Sequence, residues 1–454
     1  MVWKKKHKLS ESYIGGTLDN RNKRRKEDDG TDTETKNDMD AADIYFEEDG
    51  LQKIYPYYHK YATHAKGRWV GRSLFEIFSQ EFRDRSADYY EAAIRQGLIE
   101  LNGDKVEPST VVRNGDLVTH YIHRHEPPVG TKPIRIVEEK DGLLVVDKPP
   151  SVPVHPSGRY NYNSVIRILE IKHGYKGLFP VNRLDRLTSG LMLIALNARI
   201  AREMEIDFRE HRIQKEYVCK VKGDFPQGHI VCDQPIRVVA HKLSLNCVDP
   251  EDGKPSTTEF QRLSGDGTTS IVYCRPKTGR THQIRVHLQF LGFPIANDPL
   301  YCNEEVWGRK LGKGGNLPGQ SPSPSPPPSP TSGSPKMTPP TTDPAAVERP
   351  AKMGGTRDTD AANKAWLPLV HRMEEWKTKQ ELVDHIGQSV DDNVPRMCAK
   401  CSNPTYPDPT PDELSIWLHA WRYSGPGWTF ETPLPAWAQE ASNLVDSVKF
   451  HSKE

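Results

Sequence analysis

The sequence predicts an α+β chain with polar, unstructured stretches at its start and in its interior, and three observations predict it. Short strand-like runs recur at 134–137, 143–146 and 191–196, and Tyr217, Cys219 and Val221 alternate as a half-buried strand would. The stretch Ser86–Gly97 has a capping serine, apolar residues at helical spacing and a terminating glycine. The composition is divided: of 454 residues only 35% are hydrophobic and mean hydropathy is −0.71, while 38 prolines exceed the average share of about 5%. A folded part must therefore coexist with an unfolded one. The length leaves room for about two to three domains.

Residues 1–26 hold nine Lys and Arg against Glu11 and Asp19, whereas residues 27–50 hold eleven Asp and Glu against Lys36. Blocks of like charge repel and bury little, so 1–50 is expected to be a disordered tail, basic then acidic. Its basic clusters fit a nuclear-import signal, a loose RNA-binding arm or a merely solvated tail. Folded structure is expected from Leu51. After the helix at 86–97 come two short strand-like runs around Asn102-Gly103, a hairpin turn, and then Asn114-Gly115-Asp116 before Leu117-Val118-Thr119. Residues 51–125 thus read as one small domain, and 126–302 as a second, larger one. From Asn303 the composition shifts, and 317–350 alone carry twelve prolines. Proline donates no ladder hydrogen bond, so 303–412 is expected to be a mostly disordered insertion, with a short amphipathic helix at Trp366–Ile386. The aromatic-rich 413–454 is expected to pack back on the larger domain.

The total charge of +1 gives no net polyanion-binding or acidic character. No run reaches the roughly 18 to 20 apolar residues of a membrane span, and MVWKKKHKLSES has no apolar core of a secretory signal. Seven cysteines, scattered apart from Cys398 and Cys401, form no disulfide framework, and a reducing compartment fits. The Cys398-Ala399-Lys400-Cys401 spacing is half of a zinc site, but no second pair completes it. No histidine is followed two residues on by Glu, which excludes a zinc deaminase, and Ser189 lacks the nucleophile-elbow pattern of a serine hydrolase. No glycine loop ending in Lys-Ser/Thr is present to cradle a triphosphate.

The strongest signal is Asn182-Arg183-Leu184-Asp185-Arg186-Leu187-Thr188-Ser189-Gly190 before the apolar strand 191–196. An acidic residue in a turn at a strand's entrance suits a nucleophile, a cap on backbone amides, or half of an ion pair with Arg183 or Arg186. It keeps company with Lys148-Pro149-Pro150 upstream, and with Gln214-Lys215-Glu216-Tyr217, Gly253–Thr258 and Gly279-Arg280-Thr281-His282-Gln283-Ile284-Arg285 downstream. Together these motifs resemble the RluA-type RNA pseudouridine synthases over about 134–302, with Leu418-His419-Ala420 added. Helix, Asn-Gly hairpin and Gly-Asp strand at 67–124 resemble an S4-type RNA-binding domain, and the whole layout resembles the eukaryotic tRNA pseudouridine synthase branch. Members usually carry His where this chain has Asn182.

The resemblance implies a mixed, largely antiparallel sheet with a central cleft, and a reaction that needs no metal, redox cofactor or triphosphate. The uridine N1–C1′ bond breaks, the base turns, and C5 takes the place of N1. Asp185 is implied as the nucleophile, by attack on C1′ or by assisting glycal formation. Arg285 is implied to pair with Asp185, since an opposite charge favours the ionised carboxylate. Tyr217 is implied to stack on the uracil and to share in removing the C5 proton, whereas its strand alternation taken without the resemblance favours a core tyrosine. Arg183 suits a wedge that fills the space of the flipped base, because guanidinium stacks on bases and pairs with phosphates. Lys148, Arg280 and His282 are candidates for steering phosphate or supporting the pocket. Arg68, Arg72, Arg83, Arg85 and Arg95 are candidates for a phosphate-facing helix surface. The expected partner is RNA, tRNA before mRNA or rRNA, with no membrane, and the chain is expected to be a monomer. Cytoplasm or nucleus is expected before the mitochondrion, whose presequences are poor in acidic residues. A non-catalytic RNA-binding protein and an RNA chaperone are the alternatives.

Overall fold

The computed structural model describes residues 10–11, 41–82, 86–240, 244–315 and 408–448, in two compact units. No helix among them is long and apolar enough to cross a membrane.

The first unit takes in residues up to Leu187, then Met192–Arg202, and the segment that ends at Leu414. Strand β1 (Ser10–Glu11) is followed by helix α1 (Ala41–Ile44), β2 (Tyr45–Glu48), β3 (Leu51–Ile54) and β4 (Tyr57–His64). Order therefore begins before the boundary expected at 50. Asp49 and Gly50, both at positive φ, close a β2–β3 hairpin, and Tyr45 is buried with its hydroxyl donating to the Tyr162 carbonyl at 2.8 Å. Helices α2 (Leu74–Glu81) and α3 (Ala87–Gln96) come next, then β5 (Ile99–Leu101), β6 (Asp104–Lys105) and β7 (Leu117–Arg124). The Asn102-Gly103 turn has positive φ at both residues, and Asn102 also accepts from the Leu117 amide at 2.8 Å, so the hairpin and the Gly-Asp turn are tied together. Trp69, Leu74, Phe78, Tyr90, Ile94 and Val118 form this region's core.

The arginines expected to face phosphate are largely compensated here. Arg68 and Arg72 both pair with Glu81, and Arg95 pairs with Glu91 and Glu107. Arg83 and Arg85 lie outside the described residues.

Strand β8 (Val129–Gly130) joins β3, β9 (Arg135–Lys140) pairs antiparallel with β10 (Leu143–Lys148), and α4 (Val165–His173) follows. A short β11 (Phe179–Pro180) pairs antiparallel with the end of β12 (Ser189–Ala195), so residues 181–188 form the connection between these two strands. Leu191 to Ala195 are fully buried.

The second unit holds Thr188–Leu191 and, among described residues, 203–315 and 415–448. After α5 (Ala198–Arg209), which the unit boundary divides, come β13 (Gln214–Lys222), β14 (His229–Cys232), β15 (Ile236–Ala240), β16 (Leu245–Val248), β17 (Thr258–Gly265), β18 (Thr269–Pro276) and α6 (Gln283–Leu291). A short α7 (Glu304–Trp307) precedes β19 (Leu418–Gly425) and β20 (Trp428–Glu431). The order β14-β17-β18-β13-β19-β20 is antiparallel throughout, and the start of β12 joins β19 in parallel. This is the mixed, largely antiparallel α+β sheet that was expected. Gly190 is required where β12 meets β19: its φ is +111°, and a Cβ there would lie 2.2 Å from the Ala420 carbonyl oxygen.

The larger domain runs past Cys302. Val306, Trp307 and Leu311 pack with Tyr301, Val286 and Leu245, so the boundary expected at 302 cuts through a core. The periodicity of so short a segment was hidden beside the glycines at 308, 312, 314 and 315. Cys398, Cys401 and the helix expected at Trp366–Ile386 lie outside the described residues.

Candidate functional site

In the first unit, Asp185 sits half-buried in the β11–β12 connection. Asn182 anchors the start of that turn by accepting from the Leu193 amide at 2.8 Å. Lys148, at the end of β10, has no exposed surface, and its ammonium donates to the carbonyls of Pro149 and Val152, both at 2.9 Å, and of Arg186 at 3.2 Å. One side chain thereby ties the 149–152 loop to the residue after Asp185. Burial pushes Lys148 down to about 7, and Arg186 acts in the same direction, while Asp185 and Asp147 pull it back up. Lys148 thus supports the turn from inside and is not exposed for phosphate steering. Arg183 is exposed beside His155, whose pKa is lowered by burial and then by the Arg183 charge.

Loss of Lys148 would orphan three carbonyls, so Lys148→Met is expected to lower stability by about 3 kcal/mol. The pH dependence follows from the sign of the shift. The unfolded lysine holds its proton where the native one has shed it, so wild type gains on Lys148→Met as pH rises from about 7 toward the ordinary lysine value. Urea denaturation at several pH values checks this, and a constant difference between the two proteins would refute it.

In the second unit, Tyr217 lies in β13, 8% exposed, with its hydroxyl 2.7 Å from that of Tyr423. Lys215, two residues earlier on the same strand face, donates to the Thr278 carbonyl at 3.3 Å, and burial pushes it down to about 8. That bond ties the Tyr217 strand to the turn carrying Arg280. Gln283 organises the turn: its oxygen accepts from Thr278 Oγ1 at 2.7 Å and from the Arg280 amide at 3.0 Å, while its amide nitrogen donates to the Thr257 carbonyl and Thr258 Oγ1, each at 3.0 Å. The Gly253–Thr258 and Gly279–Arg285 motifs are thereby brought together. The Arg280 guanidinium is exposed and donates to the Pro255 carbonyl at 3.3 Å.

His282 immediately precedes α6, at φ 57°, with its Nδ1 2.9 Å from the Tyr301 hydroxyl. Arg285, 4% exposed, donates to both oxygens of buried Asp298, at 2.6 and 2.9 Å, and lies over the Tyr301 ring. Burial alone would raise the Asp298 pKa, but Arg285 and the Tyr301 and Leu300 amides hold it below the usual carboxylate value. Asp298 and Tyr301 were missed in the sequence because both lie beyond the quoted motifs.

His419 was quoted in a motif and given no role. It is buried, with Nδ1 2.8 Å from Ser189 Oγ and Nε2 2.8 Å from Thr432 Oγ1. Thr432 directs its hydroxyl at the Ala420 and Trp421 carbonyls, so it accepts from His419 Nε2–H, and Nδ1 is left to accept from Ser189. The C-terminal block thus holds the strand that starts four residues after Asp185.

The family model for RNA pseudouridylate synthase matches residues 142–290. Human Pseudouridylate synthase RPUSD2 is 42% identical over 426 residues, covering 88% of this chain and 76% of that protein. The chain belongs to the RNA pseudouridylate synthase family. Two further relatives of this synthase come from Saccharomyces cerevisiae. One, named mitochondrial tRNA pseudouridine(32) synthase, is 36% identical and covers 96% of this chain and 87% of its own. The other, named tRNA pseudouridine(31) synthase, is 30% identical and covers 87% and 97%. The synthase is therefore an RNA-modifying isomerase, as the motifs implied. The ranking of compartments is overturned: a relative matched along almost the whole chain is named mitochondrial.

Proposed function

We propose that this synthase isomerises uridine in tRNA, in the anticodon stem-loop, with Asp185 as nucleophile. The observation that carries the tRNA assignment is that relatives along 96% and 87% of the chain are named tRNA pseudouridine synthases. For Asp185, the support is local. It lies in a turn braced at Arg186 by Lys148 and at Asn182 through Leu193, which suits a carboxylate that must be aimed. Tyr217 stacks on the flipped uracil and takes the C5 proton, and Arg285 keeps the nucleophile ionised. Arg183, exposed on the same turn as Asp185, fills the place the base leaves. Arg280 and His282 contact the RNA.

The 51–125 domain, which resembles the S4 type, adds sequence-independent affinity. With Arg68, Arg72 and Arg95 engaged by glutamates, that affinity is expected to be modest and to weaken with salt.

The test is tritium release from transcribed tRNA, mRNA and rRNA fragments carrying 5-tritiated uridine, because the C5 hydrogen leaves only when the new C–C bond forms. Release from tRNA well above that from the other two is expected. Equal or greater release from rRNA or mRNA would overturn the substrate assignment, and no release from any would overturn the activity.

A further inference from the structure

Tyr423 lies in β19, beyond the proline-rich insertion and three residues after the Leu418-His419-Ala420 motif. Its register against β13 is irregular. Glu216 faces Arg422, but the next residue, Tyr217, faces Ala420, so Trp421 is an extra residue in β19. Such a bulge re-aims the side chains on either side of it. Trp421 packs with Val218, Ile271 and Tyr273. Tyr423 faces Lys215, and the period of two places it on the same sheet face as Lys215 and Tyr217.

The consequence is a buried phenol pair. Tyr423 is fully buried, its hydroxyl is 2.7 Å from that of Tyr217, and the ring centroids are 6.0 Å apart at 54°. Two rings already held in a core do not need a hydroxyl on each to pack. A second phenol here fixes the direction of the first oxygen and can donate to it.

We propose that Tyr423 is a positioning residue for Tyr217, donating a hydrogen bond to its oxygen as that oxygen takes the C5 proton. This rests on the reading of Tyr217 given above. Once C5 has bonded to C1′, the ring holds a C6=N1 double bond; the C5–H bond then breaks, its electron pair closes C5=C6, and the C6=N1 π pair moves onto N1. The proton passes to the Tyr217 oxygen, which has given its own to solvent, and N1 takes one proton from solvent. Nothing is oxidised or reduced. A donor aimed at the Tyr217 oxygen stabilises the negative charge it must carry beforehand, and does so without reorganisation at the moment of transfer.

The experiment is single-turnover release from tRNA carrying either hydrogen or deuterium at uridine C5, with wild type, Tyr423→Phe and Asp185→Ala. Tyr423→Phe keeps the ring and removes one hydrogen bond. It is expected to slow turnover by about tenfold while tRNA affinity stays the same. The deuterium effect on that rate is expected to rise, because C5 deprotonation becomes more fully rate-limiting. An unchanged rate and isotope effect would overturn the proposal.

Should Tyr423→Phe fail to fold, 3-fluorotyrosine at 423 keeps ring, bond and fold while making the donor more acidic. The limb of the pH–rate profile set by Tyr217 is then expected to move to lower pH, and an unmoved limb would overturn the proposal. Failure of the underlying reading looks different: wild type would release no hydrogen, or Asp185→Ala would release it as wild type does.

Discussion

Asp185→Ala is expected to lower pseudouridine formation by about 10⁴-fold or more, with tRNA affinity within a few fold of wild type. The separation of the two effects is the informative part. Asp185 is half-buried, and the braces of its turn are made by neighbours: Lys148 to the Arg186 carbonyl, and Asn182 to the Leu193 amide. Those bonds survive removal of the carboxylate, so the turn and the RNA surface around it should persist. Asp185→Asn, which keeps the volume and removes the nucleophile's charge, should be as inactive as the alanine variant. Tritium release and filter binding on the same preparations check this. Residual activity within tenfold of wild type in either variant would remove Asp185 from the chemistry.

The second large effect concerns stability. Asp298→Ala is expected to cost about 3 to 5 kcal/mol, because it leaves the buried Arg285 guanidinium without its bidentate partner. Asp298 also accepts from the amides of Leu300 and Tyr301, so the same change frees the chain that leads into Trp307 and its core. Arg285→Met is expected to cost a comparable amount, since it strands the fully buried Asp298 carboxylate in turn. The pH sign follows from the lowered Asp298 pKa. Its contribution is present above the ordinary carboxylate value and is lost as pH falls through the native value. Wild type and Asp298→Ala should therefore converge in stability only in strong acid. Equal urea midpoints for the two proteins at neutral pH would show that the ion pair adds nothing.

Much of this site could be read in the sequence because the information is local. Asp185 and Arg183 share a turn, and Arg280, His282 and Arg285 share a turn and the helix that follows. The Asn102-Gly103 hairpin was legible for the same reason, since a turn type demands residues that accept positive φ. What escaped was set by distant partners. Residues 45–48 read as the end of an acidic block, but Tyr45 finds its place through Tyr162 and the Lys172 cation over its ring. Lys148 read as a candidate either for steering phosphate or for supporting the pocket, and only its set of three carbonyl acceptors decides for an internal brace.

By itself, then, the sequence determined the family, the α+β class, the nucleophile candidate and the order of the motifs, because each rests on residue types at short spacing. The tertiary structure decided how the candidates are held. The pairing of Arg285 with Asp298 spans thirteen residues, that of Ser189 with His419 spans 230, and that of Tyr217 with Tyr423 spans 206 across an insertion. The last depends on a single extra residue in β19. A one-residue shift of register exchanges the two faces of a strand, and no local propensity records where that shift falls.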